Sequence, residues 1–165
     1  MAVALQNILR FIFLILLQVF ILDNIQFMGY INPMIYVLFI LSLPVRFPKW
    51  ALLILAFIMG LIIDVFSNTA GMHSFALVFA AFLRTPVINI FTSLDEGANP
   101  TPSFHTFGVS AYVKYVVILV LIHHFILFFI ESFSFLHLTL LITKIIFSST
   151  VTILLILVLQ SFKSK

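Results

Sequence analysis

The chain has 165 residues, 64% of them hydrophobic and 8% charged, with a mean hydropathy of +1.31. A water-soluble core of that size cannot enclose so much apolar surface, which excludes a soluble globular domain and leaves an all-α integral membrane protein. The formal charge of +3 comes from basic residues scattered singly, so no nucleic-acid-binding patch exists, and the lack of cysteine removes disulfides, thiolate metal sites and cysteine nucleophiles.

Six apolar stretches follow one another, roughly 5–22, 31–43, 50–66, 72–83, 112–130 and 138–159. A helix needs about 20 apolar residues to span a bilayer, and the first, third, fifth and sixth stretches come close. The first lies behind Arg10 as the core of a signal peptide would. No small-x-small cleavage site follows it, and Asp23-Asn24 comes directly after, so it is expected to remain as a helix. The second stretch is short, and its expected helix either covers 31–43 alone or begins near Ile25 and bends at Pro33.

In the third stretch Ala56, Gly60 and Asp64 recur every four residues and line one helix face, and Ala76 and Ala80 make a similar notch on the fourth. Small residues let helices approach closely in lipid, so these four are expected to hold the bundle together. Asp64 has two readings. It either caps its helix end before the turn Ser67-Asn68-Thr69-Ala70-Gly71, or accepts hydrogen bonds from a partner chain. The fourth stretch is short for a span, and its helix either ends near Leu83 or continues past Arg84, through a kink at Pro86, to Phe91.

Residues 85–110 form the largest non-apolar segment and contain Asp95-Glu96-Gly97-Ala98-Asn99-Pro100-Thr101-Pro102, whose prolines and glycine favour turns. A cytoplasmic loop is expected there, either a flexible connection or a contact surface with Phe104 and Phe107 as anchors. In the last two stretches His124 and Lys144 stand at similar depth, ten residues either side of Ser134. Lys144, Ser148 and Thr152 recur every four residues as a polar stripe facing the bundle. A lysine within lipid needs a partner, and an ion pair with Asp64 is expected, with Glu131 or the membrane interface as alternatives.

Charge along the chain sets its threading. Arg46 and Lys49 occupy the second gap and Arg84 and Lys114 the fourth, whereas Asp23, Asp64 and Glu131 mark the other three. Lys and Arg stay on the cytoplasmic side, so both termini are expected in the cytoplasm, with Arg10 snorkelling toward it and Lys144 as the exception.

His123 and His124 are adjacent and point about 100° apart on a helix, so they do not ligate one ion as an i, i+4 pair would. His124 and Glu131 share a face, and His73 and His137 fall near helix ends. No His-Glu-x-x-His, Gly-x-Ser-x-Gly or phosphate-binding glycine loop occurs, so no catalytic, metal or cofactor site is expected.

The segment from Pro33 to Arg84 resembles the rod-shape-determining MreD family. The matching residues are Leu43-Pro44-Val45-Arg46, then Gly60-Leu61-Ile62-Ile63-Asp64, then Gly71 at the turn into Met72-His73-Ser74-Phe75-Ala76. The resemblance implies six helices and a non-catalytic scaffold in the machinery that elongates rod-shaped bacteria. Its implied partners are an MreC-like membrane protein and, through it, MreB filaments and peptidoglycan synthases. The family is similar in fold to the substrate-binding subunits of energy-coupling-factor transporters, so a small-molecule-binding membrane subunit is the alternative. That alternative requires a polar cavity near the outer face, and the first helix lacks the small residues expected for docking a coupling subunit.

Overall fold

The computed structural model describes residues 2–25, 31–93, 97–132 and 138–163. Five of its helices are long and apolar enough to cross a membrane. They are α1 (Ala2–Leu17, continued by a wide π turn over Gln18–Leu22), α3 (Lys49–Ser67), α4 (Met72–Phe91), α6 (Val109–Ser132) and α7 (Leu138–Lys163). Two short helices, α2 (Leu38–Leu41) and α5 (Phe104–Phe107), complete the helical structure together with a 3-10 turn at Ile35–Val37. Among the described residues there is no β-strand element.

The expected sixth helix over 31–43 is not a continuous helix. Its Ile31–Met34 portion is extended, then comes the 3-10 turn, then the four residues of α2. Pro33 contributes no backbone N–H and disfavours a helical conformation at the residue before it, which accounts for the extended start. The segment is the most enclosed part of the chain, with Tyr36, Val37, Ile40, Leu41 and Leu43 fully buried. It still joins the two ends of the bundle, because Asn32 lies with Asp23 and Glu131 at one end and Leu43 receives Arg84 at the other.

The contacts fix which ends lie together. Asp23 accepts a hydrogen bond from Ser67 (3.1 Å), and Lys144 meets Glu131 (3.0 Å), which gathers the acidic gaps at one end. At the other, Arg10 and Arg84 donate to carbonyls at residues 42–44. Among the described residues the chain therefore runs between the ends six times, five as long helices and once as the irregular segment. This separation of acidic and basic ends is the one anticipated from the charge pattern; the side of the membrane each end faces rests on the positive-inside rule.

The fourth helix does continue past Arg84 with Pro86 inside it, ending at Phe91. The expected loop over 85–110 is correspondingly shorter. Its first seven residues belong to α4, and Val109 already starts α6. The described part, Gly97 to Ser103, is tied down by Val45 N donating to the Pro100 carbonyl (3.0 Å) and Arg46 N donating to Asn99 Oδ1 (2.7 Å). Phe104 and Phe107 are not free anchors, since their rings pack edge-on against Tyr112 (5.0 Å between centroids) and Tyr115 (5.8 Å). Asp95, Glu96, Ser134 and His137 lie outside the described residues.

The cysteine-free background makes the threading testable. Single cysteines replacing Asn24 and Thr69 should react with a membrane-impermeant thiol reagent in intact spheroplasts, and one replacing Ala98 should react only after the membrane is opened. Labelling of all three from the same side would refute the six passes.

Candidate functional site

Gly60 and Asp64 act together on the first turn of α4. Gly60 faces that turn so closely that an added Cβ would lie 2.6 Å from Ser74 N and 2.9 Å from the His73 carbonyl carbon, inside any real contact. One helical turn further on, the Asp64 carboxylate reaches over the exposed N-terminus of α4. Its Oδ1 accepts from His73 N (3.0 Å), His73 Nδ1 (2.9 Å) and Thr69 Oγ1 (2.6 Å), and its Oδ2 accepts from Ser74 N (2.9 Å) and Ser74 Oγ (2.5 Å).

The N-cap position of α4 is Gly71, which has no side chain to cap with. Asp64 supplies the missing acceptor from the preceding helix and sets a negative charge at the positive end of the α4 dipole. Gly71 (φ 80°) and Asn68 (φ 53°) take the left-handed conformations that turn the chain sharply enough for this. Gly60, Asp64 and Gly71 are thus one device that closes the α3–α4 hairpin, with Ala56, Ala76 and Ala80 fully buried along the helices. Of the two readings of Asp64 the structure fits the capping one, but the cap is on α4 and not on its own helix end.

The expected Asp64–Lys144 pair is absent. Lys144 pairs with Glu131 at 3.0 Å in a partly exposed position and lies 5.8 Å from the Phe128 ring centroid. Lys144 is long enough to reach Glu131 near the helix end, whereas the Asp64 oxygens are occupied by α4.

Ser148 and Thr152, the other members of that stripe, do face inward. Ser148 Oγ accepts from Asn32 N (3.0 Å) and Thr152 Oγ1 from Met34 N (3.0 Å), satisfying backbone groups of the extended segment. Gln18 completes this work from α1. Its Oε1 accepts from Ile35 N (3.0 Å), while its Nε2 donates to the Pro33 carbonyl (3.1 Å) and to Asp23 Oδ1 (2.7 Å). His124 Nδ1 bonds the Val120 carbonyl (2.9 Å), which assigns the proton to that nitrogen, and its Nε2 lies 3.2 Å from Thr152 Oγ1. His123 turns to a different neighbour, Tyr36, whose hydroxyl is 2.9 Å from its Nε2. No group of three His, Cys, Asp or Glu side chains at metal-binding spacing occurs among the described residues.

Two features were not foreseen from the sequence. Arg84, expected to flank the membrane, is wholly buried. Its guanidinium bonds the carbonyls of Leu43 and Pro44 and the Tyr115 hydroxyl (3.1 Å), and Tyr115 in turn donates to the Leu41 carbonyl (3.1 Å). These are the free carbonyls beyond α2, so a cation sits at the negative end of that short helix.

The second feature is a cleft of about 330 Å³ at the acidic end. Asp23, Asn24, Asn32, Thr69, His73 and Glu131 are among its walls, and the buried Asn32 Oδ1 has no partner. Its polar residues come from four separate parts of the chain, so no single stretch of sequence signals it.

Compared with family models, with curated proteins and with solved structures, the chain matches none.

Asp64→Ala should destabilise the protein by about 2 to 4 kcal/mol, because two helix N–H groups and two hydroxyls lose a charged acceptor. Lys144→Met should cost under about 1 kcal/mol, since its ion pair is substantially solvated. Thermal unfolding in detergent should rank the two variants in that order. Gly60→Ala should lower stability by about 1 to 3 kcal/mol in the same assay, because helix backbone cannot move aside as a flexible side chain would.

Proposed function

We propose that the chain is a non-catalytic scaffold subunit of the bacterial cell-elongation machinery, held in the inner membrane with both termini in the cytoplasm. In this reading it binds an MreC-like membrane protein and so helps to couple MreB filaments to peptidoglycan synthesis. The observation that carries the reading is that the residues resembling the MreD family make the contacts that join α3, α4 and the segment before them. The Leu43-Pro44 carbonyls receive Arg84, and Gly60, Asp64 and Gly71 close the adjoining hairpin.

A scaffold in lipid needs a lateral surface for a partner helix, and α1 offers one. It is the least enclosed of the five long helices. A groove of about 270 Å³ runs beside it, lined by Ile8, Phe11, Phe39, Leu43, Phe47 and Leu55 with Asn7 at one edge. Apolar packing against such a groove suits a single membrane-crossing helix of the partner.

The second reading is a small-molecule-binding subunit of the energy-coupling-factor type. The polar cleft at the acidic end favours it, because a hydrophilic ligand requires convergent donors and acceptors.

Pull-down of the tagged chain in mild detergent, followed by mass spectrometry, separates the two. A bitopic coiled-coil protein is expected, and Ile8→Trp at the groove should reduce its recovery several-fold. Equal recovery with Ile8→Trp would move the interface away from α1. Co-purification of an ATPase module together with a bound vitamin would replace the scaffold by the second reading.

A further inference from the structure

At the basic end the turn before α3 and the last turns of α4 enclose a second cleft, of about 290 Å³. Arg46 and Lys49 supply two cations to it, and Thr85 and Asn89, one turn apart on α4, line it beside Thr92. No carboxylate lines it among the described residues, and neither cation takes part in an ion pair there. The Thr92 hydroxyl is already used on the Ile88 carbonyl (2.8 Å), whereas no hydrogen bond occupies the Asn89 amide. The turn itself is held in shape by the bonds from Val45 N and Arg46 N to Pro100 and Asn99.

The neighbours of the cleft set its level in the bilayer. Trp50, adjacent to Lys49, is 70% exposed, and tryptophan with an outward-facing ring favours the headgroup region. Ile90, next to Asn89, is 71% exposed and Phe82, two turns deeper, 65%, so apolar surface for acyl chains continues directly below the cations. A cationic recess with an uncharged amide donor, opening onto acyl-chain surface, matches an anionic phospholipid: phosphate above, hydrocarbon below.

We propose that this cleft binds the phosphate headgroup of an anionic phospholipid from the leaflet that meets the basic end of the bundle. Arg46 and Lys49 hold the charge, Asn89 donates to a headgroup oxygen, and Ile90 and Phe82 carry the upper acyl chain. The site does not rest on the scaffold reading, although it shares Phe47 with the groove beside α1.

The test uses the full chain in phosphatidylcholine nanodiscs with and without phosphatidylglycerol, with retained lipid counted by native mass spectrometry. Arg46→Gln with Lys49→Gln should weaken phosphatidylglycerol retention by about tenfold or more, since each surface cation adds several-fold to anionic-lipid affinity. Both side chains are exposed, so the fold should persist, and circular dichroism checks that it does. Lys114→Gln removes a charge from α6 at the same end and should leave retention unchanged. Equal retention by wild type and the double variant would overturn the site, as would an equal loss with Lys114→Gln. Inorganic phosphate raising the thermal stability as much as phosphatidylglycerol does would assign the cleft to free phosphate and overturn the lipid.

Discussion

Where the chain abandons regular helix at the depth of the hydrocarbon, every exposed N–H and C=O must be answered by protein, because lipid offers no hydrogen bonds. Residues 31–43 impose this demand, and polar side chains across the bundle meet it. Gln18, Ser148 and Thr152 receive the N–H groups near Ile31–Ile35. Arg10, Arg84 and Tyr115 collect the carbonyls from Leu41 to Pro44. Polar residues that a hydropathy profile would count as costs are the reason the segment is stable where it lies. They draw α1, α4, α6 and α7 around one strip of backbone, so that the bundle is organised by hydrogen bonds as well as by apolar packing.

The hairpin of α3 and α4 solves a related difficulty by another route. The first turn of any helix leaves N–H groups unpaired, and here the N-cap residue is a glycine. A carboxylate borrowed from α3 closes those bonds, which demands a close crossing, and the crossing demands glycine at position 60. A Gly-x-x-x-Asp pattern followed by a turn glycine therefore describes a way of joining two helices.

Much of this was legible from apolar run length and charge spacing. The five long helices, the continuation of α4 through Pro86, and the acidic and basic ends all follow from local composition. The four-residue spacing of Gly60 and Asp64 pointed to their shared face. What the sequence concealed depends on distant partners. A thirteen-residue apolar run reads as a short helix until one sees that side chains 116 and 118 positions later satisfy an extended backbone. Lys144 reached Glu131 and not Asp64 because the Asp64 oxygens are engaged by Thr69 and the first turn of α4. Arg84 looked like a boundary marker because its acceptors are backbone carbonyls, which no residue type advertises. The cleft at the acidic end was invisible for the same reason, being assembled from four places.

The long sequence separation of those bonds carries a consequence for biogenesis. The ribosome delivers Asn32 and Met34 well before Ser148 and Thr152 exist. The α3–α4 hairpin, by contrast, holds both its capping carboxylate and the donors it satisfies within eleven residues, from Asp64 to Ser74, and is complete as soon as it leaves the insertion channel. The irregular strip therefore has to wait, shielded by the insertion machinery or temporarily wound as a helix, until the final helix enters the membrane and releases it into place.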